Sequence, residues 1–574
     1  MPADERYDVV IVGAGHNGTT AAAYLAKCGL SVCLLEERPE CGGAQENTEP
    51  VAGARISPHA IANYGGPAPG WEQLELWKYG FRMDTNPRAP TAGEPQALLM
   101  TGEGLVPLSD KDAMAWAKLC GLLGQPPFIR ELLRATFWCP PHPRHVELTP
   151  DTIPFMQVYK EHQPDVWTEE LLEMTMFDLL DEYCESEQFK VNMAYTALVS
   201  GAHGHFEGQA IPALCSVATV IPPFMPRPVG PRGNIHGYYH ALLRCALAHG
   251  AVVRSCCPVD EIIVNNGCAV GVRLRDTATV GGKRIWARKA VISATDIRQT
   301  FLELIGPEHT DAGFRQRIRD LSLKGGSLYV NHFLTREQLR YRPKFRQGVA
   351  GEGNFTGGSY LGGAGSRKEY FDHVEEVLGR RGGPVLPPEK TFFLLVGNLN
   401  YDPTNPQCTR PGEHICGPLD VMVATPEYHP EGPEALNRVK EDMNAYMRAA
   451  FSVICENLDS DNLITHFANT PYDSELRNTG LLGGSWYGVR PSRDEWWNER
   501  PLPELARHRT PIDGLYLCHQ SSSHPGGLCL MACGYNLMHI MIEDGIAQPG
   551  DWWYPSPWYI PEEGKISARL GERT

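Results

Sequence analysis

YDVVIVGAGHNGTTAAAYLAKCGLSVCLLEERPECGGA, residues 7–44, decides the fold. Tyr7 to Val12 is a short, continuous apolar run, as expected of a central parallel strand. It leads straight into Gly13-Ala14-Gly15-His16-Asn17-Gly18. Thr19 to Cys28 then reads as a helix with small residues on one face, stopped at Gly29. Leu30 to Leu35 reads as a second strand, with Glu36 at its C-terminal tip.

Each part has a mechanical job. Gly13 permits the tight turn out of the strand, Gly15 lets the backbone approach a pyrophosphate, and Gly18 lets helix and strand pack closely. Ala14 and Asn17 complete the turn. The helix N-terminus offers free N–H groups and the positive end of its dipole to phosphates. Glu36, about 20 residues on, can accept hydrogen bonds from ribose hydroxyls. A glycine turn alone is weak evidence. Here strand, glycines, helix, second strand and acidic tip occur in order, which makes a dinucleotide-binding βαβ unit.

Glu36-Glu37-Arg38 followed by Gly42-Gly43-Ala44 extends the unit past its second strand, as in FAD enzymes, where the chain wraps the cofactor. The whole stretch resembles the phytoene desaturase (carotenoid desaturase-like) superfamily of flavoproteins. GAGHNG followed by TAAAYLA is similar to its phytoene dehydrogenase-like branch, the pyridine nucleotide-disulphide oxidoreductase domain proteins. The resemblance implies an α/β fold, with a Rossmann-like FAD-binding domain discontinuous in sequence and a mixed α+β substrate domain. It implies FAD as cofactor. The FAD domain is expected at 1–75, 225–305 and 496–550, the substrate domain at 76–224 and 306–495, and an aromatic tail at 551–574. In the middle segment a helix, Ile235 to His249, precedes several strands. There the resemblance makes Val259 the adenine contact, and Ala294, in AVISATD (290–296), part of the strand returning under the cofactor.

The third piece is TPIDGLYLC (510–518), then His524-Pro525-Gly526-Gly527, then a helical run expected over Leu528 to Asp544. By resemblance this helix N-terminus faces the flavin, so that Gly527, Leu530 and Met531 border it. The chain departs from the family pattern here. Leu528, Cys529, Leu530, Met531, Ala532 and Cys533 stand where relatives carry Gly and Pro, and one extra residue falls among His519 to Ser523. A bulkier, more apolar wall beside the isoalloxazine is expected.

Histidine is the side chain that moves protons near neutral pH. His59 in ISPHAIANY, His519 and His524 are the candidates beside the flavin, for catalysis or for hydrogen bonding alone. No metal site is expected: His142, His145, His203 and His205 have no acidic or Cys partner at ligand spacing. Ser521 to Ser523 lack a G-x-S-x-G elbow, which excludes acyl transfer.

At 574 residues two domains are the default, and 42% hydrophobic residues supply a large core. A net charge of −16 with no basic run argues against a nucleic-acid partner. The 17 Cys form no framework and read as reduced, cytosolic thiols. No signal peptide and no apolar run of ~18 residues is read, so a cytoplasmic protein is expected, with membrane association left open. The tail DWWYPSPWYI (551–560) is read first as packing on its own domain, next as a homo- or hetero-oligomer contact, last as a weak peripheral membrane contact.

The expected chemistry is hydride removal from an activated C–H of a small apolar substrate. An external acceptor, a quinone, O₂ or another, would reoxidise the cofactor. No second glycine fingerprint follows Gly18, so NAD(P)H is not expected as an obligatory partner. The resemblance implies isoprenoid-like substrates, from carotenoids to terpenes such as limonene. A flavin amine oxidase, and a flavin-retaining subunit without its own turnover in a hetero-oligomer, stay open. The apolar stretches 126–140, 197–226 and 327–334 read equally as a substrate tunnel or as core.

Overall fold

A computed structural model describes residues 5–59, 68–81, 84–85, 98–101, 104–119, 126–166, 168–200, 204–210, 213–214, 228–229, 234–323, 327–340, 342–345, 359–362, 364–379, 386–395, 398–400, 412–423, 431–432, 434–438, 440–485, 488–489, 497–524 and 531–562. One mixed sheet collects strands from three distant parts of the chain. Its elements are β1 (Glu5–Val12), α1 (His16–Lys27), β2 (Val32–Leu35), α2 (Asn234–Ala248), β3 (Val252–Arg254), β4 (Val259–Asn265), β5 (Cys268–Leu274), β6 (Arg284–Ser293), β7 (Leu515–Leu517) and α3 (Ala532–Glu543).

The strand order is β4-β5-β6-β1-β2-β3, with β7 also on β6. β3, β2, β1, β6 and β7 run parallel, whereas β4, β5 and the start of β6 form an antiparallel meander. Both faces of the parallel part are covered, which is why its strands read as unbroken apolar runs. Val9, Ile11, Val32, Leu34 and Ile292 face α1, α2 and α3. Val10, Val12, Cys33, Leu35, Val291 and Leu517 face the other way, into a core with Phe301, Phe314 and Ile318. Each fully buried Val, Leu or Ile contributes about 1.5–3 kcal/mol. α1 and α3 cross so closely that a Cβ on Gly534 would lie 2.5 Å from Thr20 Cγ2.

A second, antiparallel sheet runs in the order Ser359–Gly362, Phe392–Leu395, His414–Val423, Ser327–Thr335, Leu463–Asn469, with Asn398–Asn400 also on His414–Val423. Tyr329 and Phe333 on one face pack with Met443, Met447 and Phe451 of helix Lys440–Ile454. Leu334 and Ile415 on the other face meet Ala54 and Ile56 of the hairpin that follows the Gly-Gly pair.

Three sequence readings can be placed. In the stretch 126–140, Phe128, Leu132, Leu133 and Trp138 are buried in the same core as α1, so these side chains pack rather than line a tunnel. The tail packs on its own chain: Trp552, Trp553, Trp558 and Tyr559 join the α1 and α3 core, and Trp552 stacks on Tyr24. The last helix is described over Ala532–Glu543, with Met531 at its N-cap in a left-handed conformation (φ 65°); the expected start at Leu528 lies outside the described residues. Among the described residues no helix is long and apolar enough to cross a membrane.

Candidate functional site

A cleft opens at the C-terminal tips of β1, β2, β6 and β7, the end where open α/β sheets bind ligands. Its floor is the glycine turn. Gly13 N–H donates to Leu35 O (2.8 Å), and its φ of +99° suits glycine. A Cβ on Gly13 would come 2.8 Å from Ala294 O, and one on Gly18 would come 2.1 Å from Gly13 O. The protein itself demands glycine at both positions.

Gly15 is different. It is the N-cap of α1 with φ −70°, which any residue adopts, and a Cβ there would meet nothing nearer than Gly43 Cα at 3.8 Å. The space beside Gly15 is therefore left for something outside the chain. α1 has no side-chain cap and no acidic residue in its first turn. Asn17 Oδ1 beside it is buried without a partner. Uncapped N–H groups, an orphaned polar atom and open room at the second glycine fit the diphosphate of FAD.

The following residues close around this turn. Gly42 N–H donates to Ala14 O (3.1 Å), laying the Gly-Gly pair along the turn, and Gly43 and Ala44 line the cleft. Tyr239 Oη also donates to Ala14 O (2.8 Å), anchoring α2 to the same point. Glu36 accepts from Ala14 N–H (2.9 Å) and Arg38 N–H (3.0 Å), and burial holds its carboxyl above the usual range. Glu36, Glu37, Val259 and Ala294 all reach the cleft. Arg38 pairs with buried Glu46, whose carboxyl burial also raises, and Arg38 Nη1 is buried without a partner.

Of the three candidate histidines, only His519 reaches the cleft. Burial pushes it down to about 3, so it is neutral. Ser521 N–H donates to its Nδ1 (3.2 Å), which leaves the proton on Nε2, beside Gly480. His16, for which the sequence alone suggested no role, lines the cleft with it.

His59 stands off the cleft, with Glu46 Oε1 3.8 Å from its Nδ1; both ring nitrogens are buried and unpaired, and burial pushes it to about 3. His524 is also off the cleft. Its Nε2 donates to Thr136 O (2.7 Å), its ring packs on Trp497, and burial pushes it to about 3. The His524 imidazole is held by that hydrogen bond and ring contact, whereas the His59 ring is buried beside Glu46 with neither nitrogen hydrogen-bonded.

Met531 is displaced as well. Its fully buried side chain points to Gly70 and Tyr24, where a Cβ on Gly70 would lie 2.7 Å from the sulfur. The left-handed backbone at Met531 turns it into the core rather than toward the cleft. Gly527 and Leu530 lie outside the described residues, as does His203.

Sequence reasoning missed Gln299 and the segment 478–481, which also line the cleft. Nothing local marks them, because they come from chain remote from the glycine turn.

Comparison with known proteins agrees with this geometry. The family described as FAD dependent oxidoreductase (DAO) matches residues 8–132. The chain is similar to pyridine nucleotide-disulfide oxidoreductase domain-containing protein 2 of Rattus norvegicus, 25% identical and covering 94% of each chain. It is also similar to a subunit of the limonene dehydrogenase of Castellaniella defragrans, 24% identical, covering 95% of this chain and 96% of that one. Among solved structures a putrescine oxidase variant shares the fold, with TM-score 0.53 and 15% identity over 94% of this chain and 99% of the other. With a Rossmann-like sheet, a cleft that fits a dinucleotide and this match over its first segment, the chain is an FAD-dependent oxidoreductase.

Proposed function

We propose that this enzyme removes hydride from an activated C–H of a small, apolar, isoprenoid-like substrate, in the manner of the phytoene dehydrogenase-like flavoproteins. The observation that carries this reading is likeness over nearly the whole chain to the limonene dehydrogenase subunit, whose name gives a monoterpene as the substrate. FAD supplies the hydride acceptor. The glycine turn, Gly13, Ala14, Gly15, Asn17 and Gly18, takes the diphosphate. Glu36 takes the ribose hydroxyls, with Glu37 and Arg38 beside it. Val259 meets the adenine, and Gly42, Gly43, Ala44 and Ala294 complete the cradle. His519 presents a neutral Nε2–H donor there rather than a proton shuttle, since its burial opposes protonation. Gly527 and Leu530 remain assigned to the flavin end.

The FAD domain is drawn as 1–75, 225–305 and 496–550, with the substrate domain between. That relative's name as one subunit of an enzyme supports a hetero-oligomer, with reoxidation by a quinone, O₂ or another acceptor. Anaerobic mixing with limonene, a carotenoid or an aliphatic amine, followed by the bleaching of flavin absorbance, tests the reading. Bleaching by limonene is expected. Bleaching by the amine alone would sink it in favour of an amine oxidase, and bleaching by none would favour a flavin-retaining subunit.

A further inference from the structure

The cofactor cleft is not built by the FAD sheet alone. Helix Pro471–Arg477 follows directly on the second sheet's edge strand Leu463–Asn469 and begins with a capping box between Thr470 and Asp473. At its end Arg477 reaches back to the segment after the Gly-Gly pair, with Nη1 3.5 Å from Glu46 Oε1 and Nη2 3.2 Å from Thr48 Oγ1. The chain then crosses the cleft as a strap, residues 478–481. Thr479 holds both rims: its hydroxyl donates to Glu37 Oε2 (3.3 Å), and its carbonyl accepts from Gln299 Nε2 (2.9 Å). Glu37 and Gln299 themselves line the cleft, so the strap spans the site rather than lying beside it.

Asn478 is the polar side chain the strap turns toward the glycine turn. Its Oδ1 is committed, accepting from Gly480 N–H (3.1 Å). Its Nδ2 is left over, 3.6 Å from where a Cβ on Gly43 would stand, and that same point is 3.0 Å from Gly15 Cα. A primary amide donor thus stands over Gly43, the glycine that itself abuts Gly15 on its open side. Gly480, in turn, sits against His519 Nε2, with 3.6 Å from its Cβ position to that nitrogen.

We propose that Asn478 is a cofactor-positioning residue, its Nδ2 donating to the diphosphate of FAD, and that the strap 478–481 belongs to the cofactor site. The inference rests on FAD occupying this cleft. It makes cofactor binding depend on the second sheet's segment, because only that segment delivers the strap.

The test is titration of deflavinated protein with FAD, read by quenching of flavin fluorescence, with ADP as competitor. Asn478→Ser removes one hydrogen bond to a charged group and should weaken FAD by roughly tenfold. Asn478→Asp places a carboxylate against the diphosphate and should weaken it by roughly a hundredfold or more. ADP, which carries the diphosphate without the flavin, should weaken in parallel in both variants. Asn478 is half-buried at a helix end, and unchanged thermal unfolding of the deflavinated variants separates lost binding from lost folding. Wild-type affinity for FAD in Asn478→Asp would overturn the proposal. So would a loss of FAD with ADP unaffected, since Asn478 would then face the flavin half. Failure of the unmutated protein to bind FAD would instead remove the cofactor assignment beneath it.

Discussion

The two ends of the N-terminal helix's surroundings use glycine and left-handed backbone in opposite ways. At the glycine turn, Gly13 and Gly18 are packed against the protein's own atoms, while Gly15 faces open space. Where the last helix begins, a left-handed residue recurs, but it is Met531, and its side chain fills the core against Gly70 and Tyr24. The first region gives up side chains to admit a ligand. The second accepts backbone strain to keep a side chain buried. A small residue in a fingerprint can therefore serve the fold, the ligand or both, and the atoms around it decide which.

The sharpest way to break this comparison is to add the same kind of atom at two glycines. Gly18→Ala drives a Cβ to within 2.1 Å of Gly13 O and should destabilise the protein by more than about 3 kcal/mol, read as a collapse of soluble yield and thermal midpoint. Gly15→Val should fold with a near-normal midpoint yet weaken FAD by about a hundredfold, measured by retained flavin absorbance after dialysis. If both variants lose folding, or both keep flavin, the division between a fold glycine and a ligand glycine is wrong.

Met531→Gly sharpens the other side. Relief of the left-handed backbone returns about 1 kcal/mol, but emptying the pocket at Gly70 and Tyr24 costs about 2–5 kcal/mol. A net loss of about 2 kcal/mol in urea unfolding, with FAD affinity unchanged, is expected. A shift in flavin affinity as large as that of Gly15→Val would return Met531 to the cofactor.

The smallest expected effect separates the histidines. His16, at about 4, and His519 and His524, at about 3, are lowered chiefly by burial below an unfolded value near 6.5. A depressed folded pKa contributes stability that is present above pH 6.5 and is lost as pH falls through 4 to 3. The thermal midpoint should therefore fall on acidification from about pH 6.5. His524→Gln keeps a donor for Thr136 O but removes one titrating ring, which should reduce the slope by about 1.4 kcal/mol per pH unit. Calorimetric proton uptake on unfolding at about pH 5.5 reads this directly. An uptake equal to the wild type's would mean that His524 is not held neutral in the folded chain.

What the sequence determined by itself was local. Strand, glycine turn, helix and acidic tip are contiguous in residues 7–36, so their order, spacing and apolar period are all legible in that one stretch. The tertiary structure decided everything that depends on approach from a distance. It tied His524 to Thr136 O and Trp497, left His59 buried beside Glu46, sent Met531 into the core, and brought Asn478 and Thr479 over a cleft whose glycine turn lies at the other end of the chain. The reason is physical. A side chain's chemistry is written in its own residue, but its accessibility and partners belong to whichever segments fold against it, and no spacing along the chain encodes those.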